Sequence, residues 1–203
     1  MLIFLRHGRT AYNAEGRLQG QYDSPLDDIG WKQSIEVGAH LRAHYDIRHV
    51  VTSALSRTRQ TAEAAGFAQL PTTVDNRWRE IDFGDYDARK ISEVNVNLGA
   101  MWLNDIEWIP TEGAESMGAL HRRVGAALDD VVTAHEALPR GQSVLVVSHA
   151  TPIKSALAHA AMAGPQMIMR LHVGVASVST VSQSGDVLVL TSFNERPFSP
   201  EYR

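Results

Sequence analysis

Three short apolar runs constrain this chain more than any other feature. Residues Met1 to Leu5, Ile47 to Thr52 and Ser143 to Val147 are rich in Val, Ile, Leu or Phe and carry no helical period. Runs of five or six such residues read as strands buried on both faces. Each leads into a polar tip: Arg6-His7-Gly8 after the first, Ser53-Ala-Leu-Ser-Arg57 after the second, Ser148-His149 after the third. Helical patterns intervene, so the expected fold is α/β: a three-layer α/β/α sandwich with a mostly parallel central sheet. In such a sheet the C-terminal strand ends share one edge, and ligands bind there. Gly8 is expected to let the backbone turn sharply and approach a ligand.

The remaining elements follow from pattern and punctuation. Thr10 to Asp28 is long for a plain connection, and Tyr12, Leu18, Tyr22 and Leu26 offer anchors, so it reads as an ordered loop bordering a site. Helices are expected at Asp28 to His44, from an N-cap at Ser53 onward, at Ser92 to Asp105, from Glu115 or Ser116 to about Leu138, and at Pro152 to Ala163. A short strand is expected at Pro71 to Val74. A hairpin is expected from Val173 to Ser182 and Asp186 to Ser192, turning at Gln183-Ser-Gly-Asp. No linker or repeat interrupts the pattern, so residues 1–203 are read as one domain.

Composition removes several function classes. The 203 residues are 44% hydrophobic and 21% charged, which leaves ample material for a core. A formal net charge of −4 argues against a nucleic-acid-coating or membrane-coating surface. There is no cysteine, which excludes disulfides, thiolate nucleophiles and cysteine-based zinc sites. The first apolar run is too short for a signal peptide and no run is long enough to span a bilayer, so a cytoplasmic location is expected. Glu36, His40 and His44 fall at i, i+4 and i+8 of a helix, but an exposed polar face explains them better than a metal site.

The tips carry the chemistry. Arg6, His7, Arg57 and His149 are brought to one sheet edge in a net acidic chain. Gathering such groups is costly unless an anion lies between them, and a phosphate suits two arginine forks. Arg57 and Arg59 also stand near a helix N-terminus, where the dipole already favours anions. A histidine beside two arginines is held toward its neutral form, and neutral imidazole can attack phosphorus to give a phosphohistidine. A carboxylic acid is then needed to protonate the leaving alcohol and later to activate water. Glu80 is the best candidate, with Asp82, Asp85 and Asp87 as competitors. Its neighbours Arg77, Trp78, Arg79 and Phe83 leave two environments open: a buried carboxyl with a shifted pKa, or a local salt-bridge partner. The arginines supply the positive charge, so no metal or cofactor is expected.

These residues resemble the histidine phosphatase superfamily, the phosphoglycerate mutase-like fold, over nearly the whole chain. Arg6-His7-Gly8-Arg9-Thr10-Ala-Tyr-Asn13 matches its R-H-G-x-T-x-x-N pattern. Gly16 to Gly20, Ser53 to Ala62, Arg79-Glu80 to Gly84, Glu115-Ser116 and Val147-Ser148-His149 match its further segments. The resemblance implies His7 as the phosphorylated nucleophile and Glu80 as general acid and base. It implies that Arg6, Asn13, Arg57 and His149 bind the phosphoryl group, and that Gln19, Gly20 and the Ala150 amide contact the ligand. The stretches Ser148 to Leu157 and Met169 to His172 look most like the branch of α-ribazole phosphatase-like enzymes and of acid phosphatase domains that follow a ribonuclease H domain. No such domain precedes the first strand, so ribonuclease activity is not expected.

Ala150, Ala88 and Ala114 stand where that family commonly has Gly, and Arg9 replaces a more usual Glu or Gln. The extra cation at Arg9 would favour an anionic substrate. The implied activity is hydrolysis of a small phosphorylated metabolite. A cofactor-dependent phosphoglycerate mutase is the alternative, although such mutases usually carry extra segments that close the site. A catalytically silent phosphate-binding module is the third reading. A homodimer is a candidate assembly, since dimers are common in the family.

Overall fold

The computed structural model describes residues 1–185 and 187–202. Six strands form one sheet in the order β3-β2-β4-β1-β5-β6. They are β1 (Leu2–Arg6), β2 (Asp46–Thr52), β3 (Thr72–Val74), β4 (Gln142–Ser148), β5 (Val178–Ser184) and β6 (Val187–Glu195). The first four pair in parallel, whereas β5 and β6 are antiparallel to their neighbours. The helices are α1 (Ala11–Ala14), α2 (Asp28–His44), α3 (Ser56–Ala64), α4 (Leu98–Asn104), α5 (Met117–Glu136) and α6 (Ala150–Ala160).

The central strands are apolar on both sides because both sides are covered. Leu2 and Phe4 of β1, with Val144 and Val146 of β4, pack into one core with Leu120, Val124 and Leu128 of α5 and Ile153 and Leu157 of α6. The alternate residues Ile3, Leu5, Leu145 and Val147 enter a second core with Val37 and Leu41 of α2 and Ala62 of α3. Continuous apolar runs are what a parallel sheet buried between two helical layers demands. Register then aligns the strand ends. Arg6 lies opposite Ser148, and Val147 lies opposite Leu5 on one side and Thr52 on the other.

Several local expectations need correction. Ser53 does not cap α3; Leu55 occupies the N-cap position without a side-chain bond. The Ser53 hydroxyl is buried and turned instead toward the third tip. The expected helix over Ser92 to Asp105 is reduced to α4, preceded by a 3₁₀ turn at Ile91–Glu93. Apolar periodicity alone could not tell packed loop from helix there. β5 starts at Val178, not Val173, because residues 173–177 turn back over β1: the amides of Arg6 and Ala176 donate to Ser177 and His7 carbonyls respectively. Asp186, expected in the hairpin turn, and Arg203 lie outside the described residues. Gly8 is needed for packing: a Cβ there would stand 2.5 Å from the Gly30 carbonyl oxygen and 2.7 Å from Ser34 Oγ.

Candidate active site

Register builds the site. His7 and His149 each follow the last residue of adjacent parallel strands, and the His7 amide donates to the Ser148 carbonyl (3.0 Å). Neighbouring strands run about 4.8 Å apart, and the two imidazoles stand 5.2 Å apart between centroids, tilted by 60°. Arg57 enters from the first turn of α3, after β2. Glu80 comes from the extended segment between Trp78 and Ile81, both wholly buried, so that its side chain turns toward the sheet edge. His7 is 3% exposed, Glu80 7%, and Arg57 and His149 0%.

Hydrogen bonds set the state of each group. His7 Nδ1 meets the Gly8 carbonyl oxygen at 2.7 Å. A carbonyl only accepts, so Nδ1 carries the proton and Nε2 keeps its lone pair. Burial, then Arg57 and Arg6, hold His7 well below its ordinary pKa, against the opposing pull of the Gly8 carbonyl. His149 Nδ1 accepts from Arg57 Nε (3.1 Å), so its Nε2 carries the proton, which points to Ser53 Oγ (2.8 Å). Burial first, and then Arg57, keep His149 neutral as well. Both of its ring nitrogens are therefore committed, and direct contact with a phosphoryl oxygen would exchange one of these bonds.

Arg57 is aimed by backbone. Its Nη1 and Nη2 donate to the carbonyls of Tyr22 (2.8 Å) and Gly20 (2.9 Å). Burial lowers it to about 10, which leaves it cationic at neutral pH. Arg6 Nη1 donates to the Val173 carbonyl (2.7 Å), while its buried Nε has no partner among the described residues. Gln19 Nε2 is likewise buried and unpartnered, with Gln19 Oε1 held by Thr10 Oγ1 (2.7 Å). An orphaned buried donor costs about 1–3 kcal/mol, and two at one rim fit a site shaped for oxygens. Asn13 closes a capping box with Thr10 through its Oδ1, which leaves its amide group for a ligand.

Glu80 sits against the start of α6. Its Oε1 accepts from the Ile81 amide (2.9 Å), and both oxygens lie 3.2–3.3 Å from the Thr151 amide. It pairs with neither flanking arginine: Arg77 is bound to Asp75 and Asp130. Of the competing aspartates, Asp85 is exposed and the other two are otherwise occupied. Asp87 accepts from the Gly20 and Tyr22 amides, both at 2.7 Å, and so fixes the loop that aims Arg57. Asp82 closes a turn onto the Gly84 amide.

The family model of the histidine phosphatase superfamily (branch 1) matches residues 2–196. The chain belongs to this superfamily. Among curated relatives of this histidine phosphatase chain, the bifunctional protein Rv2228c of Mycobacterium tuberculosis is 36% identical over 182 residues, which is 88% of this chain and 49% of that protein. The chain thus spans about half the length of that relative. A probable phosphoglycerate mutase GpmB of Salmonella choleraesuis is 39% identical over 152 residues, 73% of this chain and 68% of that one. Among solved structures, a mycobacterial glucosyl-3-phosphoglycerate phosphatase in complex with VO3 superposes with a TM-score of 0.85 at 27% identity, covering 95% of this chain and 98% of that one.

In this histidine phosphatase chain the expected set of His7, His149, Arg6, Arg57 and Glu80 meets at one rim, bordered by Asn13, Gln19 and Gly20. The Ala150 amide opens α6 with no positive φ, so Ala is accommodated there. Arg9 does not offer a free cation to the mouth, because its Nε pairs with Asp27 at 2.8 Å. Glu36 accepts from the amide and hydroxyl of Ser199, which gives it a structural use. No cluster of three metal-ligating side chains occurs among the described residues.

Two contributors escape sequence reasoning. Ser53 orients His149, and its signal was its place after a strand, which reads equally well as a cap. Arg123 of α5 donates to the carbonyls of Arg77 (2.6 Å), Arg79 (2.9 Å) and Glu80 (3.1 Å) while chelated by Glu115. It fixes the backbone that carries Glu80, and nothing in its local sequence announces that. A cavity of about 600 Å³ lies beside this segment, lined by Gln21, Arg79, Asp82, Ile109 and Ser116.

Proposed function

We propose that this chain is a metal-independent phosphatase that hydrolyses small phosphomonoesters through a phosphohistidine at His7. The observation that carries the reading is the fixed tautomer of His7: the Gly8 carbonyl holds Nδ1–H, and a buried, neutral Nε2 faces a rim with two arginines. In the first step Nε2 attacks phosphorus, the P–O ester bond breaks, and Glu80 gives its proton to the departing alkoxide. In the second step Glu80 takes a proton from water, whose oxygen attacks phosphorus, and the P–N bond breaks to release inorganic phosphate. Arg6, Arg57, Asn13 and Gln19 stabilise the oxygens of the transferring group. The Gly20 and Ala150 backbones border the ligand. The substrate is read as a small phosphorylated metabolite.

The test is acid-labile labelling by a phosphorylated substrate, followed by peptide mapping. Label on His7 that disappears in His7→Ala, together with loss of turnover by at least about 10⁴-fold, is expected. Labelling retained in that variant would overturn the assignment. The similarity to a probable phosphoglycerate mutase keeps a mutase as the second reading. Rapid isomerisation of 3-phosphoglycerate in the presence of bisphosphoglycerate, with negligible hydrolysis, would favour it.

A further inference from the structure

A second group of cations adjoins the phosphoryl rim and takes no part in the steps above. Lys154 lies on α6 one turn beyond Ala150 and Thr151. Helical side chains slant toward the N-terminus, so Lys154 leans back over the turn whose Thr151 amide meets Glu80. Across from it runs the segment His172 to Gly174. The Val173 carbonyl holds Arg6. Gly174 lies directly under the Arg196 guanidinium: a Cβ there would stand 2.9 Å from Arg196 Nε and 3.4 Å from its Nη2. The Gly174 amide is in turn fixed by Asn194 Oδ1 (2.8 Å), at the end of the strand that leads to Arg196.

The charges of these groups act on one another. After burial, Lys154, Arg196 and Arg6 in that order push His172 below its ordinary value. Burial lowers Lys154 as well, with Glu80 opposing and Arg6 adding to the fall. Among the described residues, Lys154, His172 and Arg196 form no salt bridge with a carboxylate. One internal carboxylate, Glu80, acts on Lys154, and the proposed reaction already employs it. A phosphoryl group at Arg6 and Arg57 would leave Lys154 and Arg196 uncompensated, with His172 pushed toward its neutral form beside them. Lys154 and Arg196 are half-buried and His172 is exposed, so the group opens to solvent while its charges stay less screened than free surface charges.

We propose that Lys154, Arg196 and His172 form a second anion subsite, which takes a carboxylate or second phosphate carried on the leaving-group portion of the substrate. The inference rests on the phosphatase reading of the rim and names a substrate class for it: phosphomonoesters that bear a further acidic group. Gly174 is required because a side chain there would displace Arg196. Arg9, the cation that the sequence alone points to, is excluded by its pairing with Asp27.

The test uses matched pairs that differ in that group alone: 3-phosphoglycerate against glycerol 3-phosphate, and 1,3-propanediol bisphosphate against its monophosphate. Affinities are measured by calorimetry on His7→Ala, which binds without turnover, and kcat/KM on the unaltered chain. The acidic member of at least one pair is expected to bind at least about tenfold more tightly. A preference in the first pair alone assigns a carboxylate, and in the second alone a phosphate. Lys154→Gln and Arg196→Gln are each expected to cut the ratio several-fold, and Lys154→Arg to restore it. Ratios near one in both pairs, or ratios that neither Gln variant changes, would overturn the subsite. Failure of the underlying reading looks different: the affinity ratio would persist while no ester is hydrolysed and His7 takes no label.

Discussion

The rim at the ends of β1, β2 and β4 and the border that runs from Arg79 to Ser116 are built by different means. At the rim, parallel register fixes where each side chain leaves the sheet, and the cores on both faces hold the strands. The border has two 3₁₀ turns and the seven-residue α4, and polar ties hold it in place. The Glu115 amide donates to the Asp82 carbonyl (2.9 Å), Ser116 Oγ to Glu107 (2.8 Å), and Arg123 to three successive-segment carbonyls. A site assembled this way separates its tasks. On the proposed reading, the geometry needed at phosphorus comes from the sheet, and the acid comes from a segment of short turns that polar ties and the buried side chains of Ile81, Phe83 and Trp102 hold in place.

That division can be broken from either side. The largest effect after loss of His7 is expected at Glu80, the point where the border reaches the rim. Glu80→Gln should lower kcat by about 10²–10⁴-fold for alkyl phosphates, and much less for an activated aryl phosphate that needs no proton. Equal losses for both substrates would deny it the acid role. Next comes the anchor of the border. Arg123→Gln removes the donors of three carbonyls and half of the Glu115 pair, and should cost about 2–4 kcal/mol in urea denaturation, with kcat falling as Glu80 drifts. A change below about 0.5 kcal/mol would mean that the segment is held elsewhere.

The rim should respond to pH where the border does not. His7 and His149 have depressed pKa values in the fold, so the unfolded chain binds more protons below pH about 6.5. Stability should then fall as pH drops from 6.5 toward 5, by about 1.4 kcal/mol per pH unit for each histidine. His149→Asn should flatten the slope; an already flat profile in the unaltered chain would show the imidazoles charged in the fold. The exposed Arg122–Glu107 pair of the border should contribute little over the same range. The smallest effect is expected at Ala88, which closes the border onto the loop at φ 68°. Ala88→Gly removes left-handed strain and should stabilise by about 1 kcal/mol, read as a rise of about 2–4 °C in Tm, with kcat unchanged.

The strands of the rim were legible to within one or two residues because a strand buried on two faces must be apolar throughout, and few other structures ask for that. His7, His149, Arg57 and Glu80 were legible as candidates because few residue types suit the proposed chemistry. Ala88 was legible as an oddity, and its positive φ explains why Gly is the expected residue there. The Ser92 to Asp105 segment was legible only in its second half, which is α4. Trp102 packs from α4 against Phe83 and Trp108, while the residues before α4 follow short turns that leave no period to read. Ser53 was read as a cap because a serine after a strand satisfies either role. Only the position of His149 decides between them.

The sequence by itself determined an α/β sheet with a parallel centre and the cast of groups at its edge, because burial and reactivity each restrict residue type. Tertiary structure alone decided which nitrogen of each histidine carries the proton, which carboxylate is free and which cations are spent. Apart from the His7 tautomer, which its neighbour Gly8 sets, those properties depend on partners distant in the chain: Arg57 for His149, Gly20 and Tyr22 for Asp87, Asp27 for Arg9, and Val173 and Gly174 for the cations beside the rim. A hydrogen bond or an ion pair forms between neighbours in space over about 3 Å, and local sequence carries no record of such a neighbour until the chain has folded.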